Sequence, residues 1–232
     1  MTPTAHSARE PAAALPNARL AEAARYTLLR RLAPSMRHHL VVNLQPIGMI
    51  YEVMERRLRA PEPDLGEVHD SAQKINGFAR AALNSCLDVV SWLAPEDGAV
   101  STVDEGVREC LGLLATSLTF RGYSLRNDVG SVPGEIGRSA IRNVLTAAII
   151  HMTDETPPVA GLVLSAQASP AALGLTLTLE PTEGNKGFAT ETPYRPLAWA
   201  DLEALAAAEG VGLTREGRQR VGLSIPWAGA RG

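Results

Sequence analysis

The chain has 232 residues, of which 45% are hydrophobic and 20% charged, and its formal net charge at pH 7 is −3. This length suffices for one large or two small domains with a proper core, and the composition is that of an ordinary soluble globular protein. The slightly negative net charge provides no positive potential that would attract nucleic acid. No apolar run reaches the roughly 18 residues of a membrane span. We therefore expect a protein that binds neither nucleic acid nor membrane.

Residues 1–17 are rich in Ala, Pro, Ser and Thr and lack the hydrophobic core of a secretory signal. We expect them to form a short disordered leader. Cys86 and Cys110 both fall in predicted helices, where small buried hydrophobic side chains explain them better than a disulfide or a metal site. These features predict a cytoplasmic protein.

Residues 18–59 predict one long amphipathic helix. Its apolar residues recur at steps of three and four, the spacing of one helix face. Pro34 and Pro46 interrupt the pattern and should bend the helix without ending it. The apolar positions are Leu28, Leu32, Met36, Leu40, Leu44, Ile47, Tyr51, Met54 and Leu58.

A second helix is predicted after Pro61-Glu62-Pro63, which should end the first. Asp64, followed three residues later by Glu67, is typical of an N-cap with its capping-box partner. The apolar residues beyond them follow the alternating spacing of a heptad seam. This seam consists of Leu65, Val68, Ala72, Ile75, Ala79, Ala82, Cys86, Val89 and Leu93.

Two long helices joined by a short proline-rich turn predict an antiparallel hairpin over residues 18–95. One hairpin has too little core to stand alone. Two copies of the chain should therefore combine their hairpins into a four-helix bundle, which makes the protein a homodimer. The alternative is that the hairpin packs on the C-terminal half of its own chain.

Residues 99–228 have a different character and follow a boundary at Pro95-Glu96-Asp97-Gly98. Helices are predicted at 103–121, 135–154 and 197–209, strands at 123–129, 162–168, 173–179, 213–215 and 220–225, and a loop at 182–196. The order α-β-α-β-β-α-β-β predicts an α/β sandwich, with one layer of helices on a mixed sheet. The fold class is therefore α+β, a long helical hairpin followed by this sandwich.

His38 and His39 lie in the middle of the first predicted helix. Each helical residue advances about 100°, so His38 lies about 160° from Leu40 and points away from the apolar stripe. His39 lies near the edge of the stripe and should be half-buried. The outward side also carries Val41, Val42, Gln45 and Met49.

An exposed, partly apolar patch of this kind is typical of partner docking. A largely neutral imidazole is a competent nucleophile towards a phosphoryl group, and the helix holds it rigid. Metal binding is the weaker interpretation, since adjacent histidines on a helix diverge by about 100°. We interpret His38 as a phosphoryl acceptor, with Val41, Val42 and Met49 as docking contacts.

These residues resemble a known family. The motif His-His-Leu-x-x-Asn-Leu-x-x-Ile, the hairpin and the α-β-α-β-β-α-β-β order resemble the dimerisation and ATP-binding domains of sensor histidine kinases, over residues 25–226. The resemblance implies that His38 is the phosphoacceptor and that His39 replaces the acidic residue that usually tunes it. Residues 101–129 resemble the segment that opens the ATP-binding domain. Residues 141–154 resemble the helix that carries the family's ATP and magnesium asparagines.

The departures from the family pattern lie at the nucleotide site. Ala147 and His151 stand for the two asparagines, and residues 180–184 stand for the Asp-x-Gly-x-Gly loop without its Asp and first Gly. Residues 192–197 offer proline and bulk where the family has a glycine-rich phosphate loop. Phosphate binding needs close backbone approach and free N–H groups, and magnesium needs oxygen ligands that Ala147 lacks. We therefore expect no ATP-dependent kinase activity and no cofactor.

A kinase-like scaffold that keeps its histidine without a nucleotide site resembles the dimeric histidine phosphotransferases of phosphorelays. The resemblance implies that His38 accepts a phosphoryl group from a receiver-domain aspartate of a hybrid histidine kinase and passes it to a response regulator. Magnesium would be bound by the receiver, and His39 and Gln45 would orient or hydrogen-bond the imidazole. The alternatives are a non-catalytic pseudokinase that sequesters a response regulator or kinase, and an active kinase with an unusual nucleotide site.

Overall fold

The computed structural model describes residues 14–182, 187 and 194–229, and the chain divides into two compact units. Leu32–Asp97 forms the helical unit. The α/β unit combines the chain up to Arg31 with the chain from Gly98 onwards. None of the helices that the structure describes has the length and apolar character needed to span a lipid bilayer.

The helices are α1 (Ala14–Leu58), α2 (Leu65–Leu93), α3 (Val103–Phe120), α4 (Arg138–Ala140), α5 (Thr146–Glu155) and α6 (Trp199–Glu209), and a π-helical turn, Ile141–Leu145, joins α4 to α5. The strands are β1 (Val100–Thr102), β2 (Tyr123–Asp128), β3 (Glu135–Gly137), β4 (Ala160–Ala168), β5 (Ala172–Pro181), β6 (Gly212–Glu216) and β7 (Arg220–Pro226). As predicted, α1 passes both Pro34 and Pro46 without ending. Residues 135–137, predicted as the start of a helix, form β3 instead.

Two stretches of the sequence-based prediction reach beyond the described residues. The first is the leader expected at residues 1–17. Residues 1–13 lie outside the described part of the chain, and from Ala14 the chain is helical. The loop expected at 182–196 also falls mostly outside the described part of the chain.

In the helical unit, α1 and α2 contact each other in antiparallel orientation. Asn43 donates a hydrogen bond to Ser85 Oγ at 3.1 Å. Towards the other end of the pair, Arg57 donates to Ser71 Oγ at 3.3 Å. Polar side chains therefore fix the alignment of the two helices at both ends, which is how a polar residue in an apolar seam specifies register.

Asp64 begins α2 as predicted. Its carboxylate accepts hydrogen bonds from the backbone N–H groups of Gly66 and Glu67 at 2.8 and 3.2 Å, which satisfies two otherwise unpaired donors of the helix end. The predicted capping-box role of Glu67 is wrong, because its carboxylate pairs with Arg57 of α1 at 3.1 Å.

Each helix of this pair turns a regular strip of residues towards the other, and we call these the inner strips. Their members are buried or half-buried and alternate steps of three and four residues, the heptad spacing. The inner strip of α1 is Leu40, Asn43, Ile47, Ile50, Met54 and Arg57. The inner strip of α2 is Val68, Ser71, Ile75, Phe78, Ala82, Ser85, Val89 and Trp92.

From Leu40 onwards in α1, and throughout α2, every second residue of the apolar seams predicted from sequence belongs to an inner strip. The seam residues between them are exposed, because each helix carries apolar residues on two faces and the contact within one chain covers one of them. The exposed seam residues are Leu44, Tyr51 and Leu58 in α1, and Leu65, Ala72, Ala79, Cys86 and Leu93 in α2. The expected burial of Cys86 is therefore wrong, whereas Cys110 is buried as expected.

The α/β unit is built on a five-stranded sheet in the order β2-β4-β5-β7-β6. β2 runs parallel to β4, and the other neighbouring strands are antiparallel. The predicted mixture of helices and a mixed sheet is confirmed. β1 and β3 add a short antiparallel pair that the sequence did not indicate, since each has only three residues.

One face of the sheet carries the core. Alternate residues of β5 and β7 are buried, and the residues between them are mostly polar or glycine. In β4, residues 160–164 are all buried. The buried strand residues are Leu162, Leu164, Leu173, Leu175, Leu177, Val221, Leu223 and Ile225. The helical residues of this core are Val107, Leu114, Leu118, Ile141, Leu145, Ile149, Leu202 and Leu205.

The first part of α1 belongs to the α/β unit, although the sequence assigned residues 18–95 to one hairpin domain. Arg25 reaches Glu209 of α6 at 2.7 Å, and Arg31 reaches Asp154 of α5 at 2.7 Å. Glu209 also accepts hydrogen bonds from Ser139 and Asn143, both at 2.7 Å. Glu209 is thus a junction between α1, α4, the π-helical turn and α6.

Glu209 should make the stability of the α/β unit sensitive to acid. Burial alone would raise the pKa of its carboxyl group, but hydrogen bonds from Ser139, Arg25 and Asn143 outweigh that effect and lower the pKa below 4.5, its ordinary value. A pKa lowered by folding contributes stability above the unfolded pKa, and this contribution disappears as the pH falls through the folded pKa.

We expect Glu209→Gln to unfold more easily than the wild type at pH 7 and to lose less further stability between pH 6 and pH 3. Urea unfolding across this range measures both effects. Glu216→Gln is the control, because Glu216 is exposed and pairs with Arg220 at the surface. Equal loss of stability in acid for Glu209→Gln and the wild type would contradict the role of Glu209 in the acid sensitivity of the α/β unit.

Candidate functional site

His38 lies on α1 with its side chain exposed. Together with Val42, Gln45 and Met49 it forms a strip along one side of the helix, which we call the outer strip. All four residues are exposed, and Val42 and Met49 expose 49% and 62% of their surface. The outer strip lies opposite the inner strip of α1, so the contact with α2 leaves His38 accessible.

His39 is also exposed, and the expected half-burial is wrong. The inner strip passes through Leu40 and Asn43, and this contact does not reach His39. The rings of His38 and His39 lie 6.3 Å apart, centre to centre, and are tilted by 50°. The two imidazole rings are therefore close to each other but point in different directions.

Gln45 follows His38 by seven residues, which is about 10 Å along the helix axis. This separation does not favour the expected hydrogen bond between the Gln45 amide and the imidazole. Gln45 lies between Val42 and Met49 on the outer strip, where its amide faces solvent. It is placed to contact a docked partner rather than the histidine.

Asn43 is the asparagine of the His-His-Leu-x-x-Asn motif, to which the sequence analysis assigned no role. Its side-chain amide donates to the carbonyl of His39 at 3.0 Å and to Ser85 Oγ at 3.1 Å. It therefore ties the helical turn after His38 to α2. The signal in the sequence is a polar residue within an otherwise apolar inner strip.

A second exposed strip runs along each helix of the pair, and we call the two together the apolar face. Its members are Val41, Leu44, Tyr51 and Leu58 of α1, and Leu83, Cys86, Val90 and Leu93 of α2. On each helix the strip lies about 100° from the inner strip in the direction of increasing residue number. Because the helices are antiparallel, this rotation brings both strips to the same side of the pair.

A contiguous exposed apolar surface that extends along two helices is typical of an interaction site. Val41 stands between the outer strip and the apolar face, about 60° from His38 around the helix. It can therefore contact a partner at either surface. Val42 and Met49 belong to the outer strip alone.

Ala147 and His151, the positions that stand for the family's asparagines, are both buried in α5. His151 Nδ1 donates to the carbonyl of Leu197 at 2.8 Å, and its ring lies 5.6 Å from the ring of Trp199. His151 thus connects α5 to the segment before α6. Its contacts are structural, and Ala147 has no polar side-chain atom to offer a ligand.

Two backbone N–H groups just before α6 are bound by carboxylates of the chain. The backbone N–H of Leu197 donates to Asp154 at 3.1 Å, and that of Ala198 donates to Asp201 at 2.9 Å. Burial alone would raise the pKa of Asp201, but its bonds with Arg195 and the Ala198 backbone lower it, so Asp201 is ionised. A phosphate that approached this end of α6 would meet the negative charge of two carboxylates.

The structure describes only part of the expected nucleotide loop. Glu180 ends near Arg126, with 3.5 Å between the charged groups, while residues 183 and 184 lie outside the described residues. Over residues 14–182 and 194–229, no three His, Cys, Asp or Glu side chains come together in a way that could hold a metal ion.

No protein-family model matches this chain, and no curated protein does. Among solved structures, it is similar to the Acinetobacter baumannii histidine kinase AdeS, with 16% identity over 76% of this chain and 94% of that one and a TM-score of 0.42. A histidine kinase from Burkholderia phymatum gives 14% identity over 85% and 98% of the two chains, with a TM-score of 0.42. A bacterial phosphotransferase gives 13% identity over 85% and 95%, with a TM-score of 0.40. Identities and scores this low assign neither fold nor activity.

The exposure of the histidines predicts their chemical reactivity. Diethyl pyrocarbonate should modify His38 and His39 rapidly in the native protein, whereas His151 should react only after unfolding, because it is 1% exposed. Peptide mass mapping over a time course measures each rate. His69 is the internal control for an exposed histidine whose Nε2 has a hydrogen-bond partner, the Gln73 side chain at 2.9 Å. Protection of His38 to the level of His151 would show that the outer strip is covered.

Proposed function

We propose that the chain is a cytoplasmic, homodimeric histidine phosphotransferase of a two-component phosphorelay. The observation that carries this proposal is His38, exposed on the outer strip between apolar contacts and held on a rigid helix. The resemblance of its motif to the phosphoacceptor of sensor histidine kinases supports the same role. The carboxylates beside the N-terminus of α6 and the buried Ala147 argue against a phosphoryl group supplied from ATP.

In the proposed reaction, a neutral His38 imidazole attacks the phosphorus of a receiver-domain aspartyl phosphate in line. A nitrogen–phosphorus bond forms, the phosphorus–oxygen bond breaks, and the aspartate leaves as a carboxylate. The other ring nitrogen then releases its proton. The receiver's magnesium ion neutralises the charge of the transferred group, since phosphoryl transfer depends mainly on positioning and electrostatics. The reverse reaction passes the group to the aspartate of a response regulator.

The outer strip supplies the docking contacts for the receivers. Val42 and Met49 offer apolar side chains on the same side of α1 as His38. Gln45 lies between them and provides the polar contact. His39 would hydrogen-bond the receiver or the phosphorylated imidazole from its neighbouring position.

The apolar face supports dimerisation. A helix in a four-helix bundle contacts two neighbours through two faces, and both α1 and α2 carry a second apolar strip on one side of the pair. A second copy of the chain that meets this face would complete the bundle. The outer strip points elsewhere and would remain accessible in the dimer.

His38→Ala should abolish phosphoryl transfer. Receiver domains of hybrid kinases from the same cell are phosphorylated with a radiolabelled small-molecule donor in magnesium and mixed with the protein. We expect label on the wild type and on His69→Ala, the control, and at least hundredfold less on His38→Ala. Label on His38→Ala at the wild-type level would exclude His38 as the acceptor.

The same mixtures separate the alternatives. A pseudokinase would bind receivers tightly without taking label, and His38→Ala would bind as the wild type does. An active kinase would label itself from ATP with no receiver present. Either result would contradict the phosphotransferase.

Leu83→Glu should convert the dimer to a monomer, because it places a charge in the middle of the apolar face. Light scattering coupled to size exclusion should give twice the chain mass of 24.6 kDa for the wild type and the single mass for the variant. Lys74→Glu is the control, since it adds negative charge to α2 at an exposed position about 180° from Leu83 around the helix.

Thiol reactivity checks the same interface. Cys86 is on the apolar face, so it should react slowly in the dimer and rapidly in Leu83→Glu. Cys110 should stay unreactive in both, because burial raises its pKa to about 12. A monomeric wild type with a fast Cys86 would remove dimerisation from the proposal.

A further inference from the structure

The first part of α1 is docked on the α/β unit like a bound helix. Its buried residues Ala21, Ala24 and Leu28 recur at the spacing of one helix face and are at most 2% exposed. Arg25 and Arg31 lie on the same side. This i, i+3, i+4, i+7 arrangement is the one by which an amphipathic helix lies in a groove, and the two alanines allow a close approach.

Arg31 holds one end of this docked helix. Its guanidinium makes two hydrogen bonds to the carboxylate of Asp154, at 2.7 and 2.8 Å. The pair is deeply buried, with side chains 5% and 2% exposed. Asp154 also accepts the backbone N–H of Leu197 at 3.1 Å. The contact therefore joins α1, the end of α5 and the segment before α6.

Arg25 holds the docked helix two turns earlier, at Glu209. The Glu209 side chain is 9% exposed, and it accepts hydrogen bonds from Ser139 and Asn143 as well as from Arg25. Withdrawal of α1 would leave the largely buried Glu209 without an arginine, and it would leave Asp154 with only Arg121, at 3.4 Å. Removing one partner of a buried ion pair is strongly unfavourable.

Tyr194, in the segment before α6, also contacts α1. Tyr194 meets Tyr26 edge-on, with ring centres 5.9 Å apart, and Arg30 lies over the Tyr194 ring at 5.6 Å. Arg31 also donates to the carbonyl of Arg195 at 3.3 Å. The segment that leads into α6 is therefore fastened to α1 as well as to α5.

We propose that residues 19–31 of α1 are a permanent cover of the α/β unit, an intramolecular ligand that fills the groove beside α5 and α6. The cover closes this groove to other ligands. It also makes residues 98–232 an incomplete folding unit that needs α1. This inference is independent of phosphoryl transfer and would stand if His38 had no role.

Hydrogen exchange in the full-length protein tests the cover. In the wild type, amides of residues 19–31 should exchange as slowly as those of α5 and α6. In the double variant Arg25→Ala/Arg31→Ala, residues 19–31, the end of α5 and residues 194–205 should lose protection together, by at least tenfold. Arg59→Ala is the control, because Arg59 forms an exposed pair with Glu55 on the same helix.

Two results would overturn the proposal. One is fast exchange of residues 19–31 in the wild type, as in a frayed helix end. The other is a loss of protection in the double variant that is confined to α1. If the double variant does not fold, Arg31→Lys takes its place, since it keeps the charge and loses the two-pronged contact. The same three segments should then lose protection together by several-fold, and a change confined to α1 would again contradict the cover.

Discussion

The buried carboxylate of Asp154 is the interaction on which the α/β unit depends most. A carboxylate with 2% of its side chain exposed is tolerated only where donors and positive charges surround it. Arg31 supplies the main charge, Arg121 approaches to 3.4 Å, and the Leu197 backbone supplies a further donor. These partners come from α1, the end of α3 and the approach to α6. One buried charge therefore requires three remote parts of the chain to meet, and it fixes where the first part of α1 must lie.

In the helical unit, the circumference of each helix is divided between different tasks. On α1, the inner strip contacts α2, the apolar face lies about 100° further round, and the outer strip takes the remaining side. Both buried sides of a bundle helix can be filled without covering His38. The proposed phosphoryl transfer and the proposed dimerisation therefore place no conflicting demand on the same side chains, except at Val41, which borders two surfaces. The polar contact of Asn43 with Ser85 adds register to a contact that apolar packing alone would leave free to slide.

Sequence reasoning predicted the parts of this structure that depend on local pattern. The alternation of apolar and polar residues in 162–168 and 173–179 predicted strands β4 and β5, and the spacing in α1 and α2 indicated two long helices. It was less successful where two apolar faces share one helix. An apolar spacing near 3.5 residues does not show which of two adjacent strips contacts the other helix of the same chain. Cys86 and Leu44 were therefore assigned to a buried seam, although both are exposed. Glu67 was assigned to a cap because the local motif could not show that Arg57 competes for it.

The docking of α1 could not be predicted from the same signals. Ala21 and Ala24 are weakly hydrophobic, and Arg25 and Arg31 are typical of a solvated helix face. Their burial depends on carboxylates more than 120 residues away in the sequence, a separation that no local pattern reports. The contact between Asn43 and α2 was not predicted for a similar reason, because its partner Ser85 is 42 residues away, on the other helix.

The charges around α6 bear on where the proposed phosphoryl group of His38 originates. A helix N-terminus attracts anions through its free N–H groups and its dipole. Here Asp154 and Asp201 bind the backbone N–H groups of Leu197 and Ala198, just before α6, and so place the chain's own negative charge at this end of the helix. Asp154 is itself held by the arginine that fastens α1. This negative charge disfavours a bound phosphate. His38 is under no such constraint, since it faces solvent on a strip suited to docking. An external protein that brings both the phosphoryl group and its magnesium ion would leave to this chain only the positioning of a neutral imidazole, a task for which a rigid helix is sufficient.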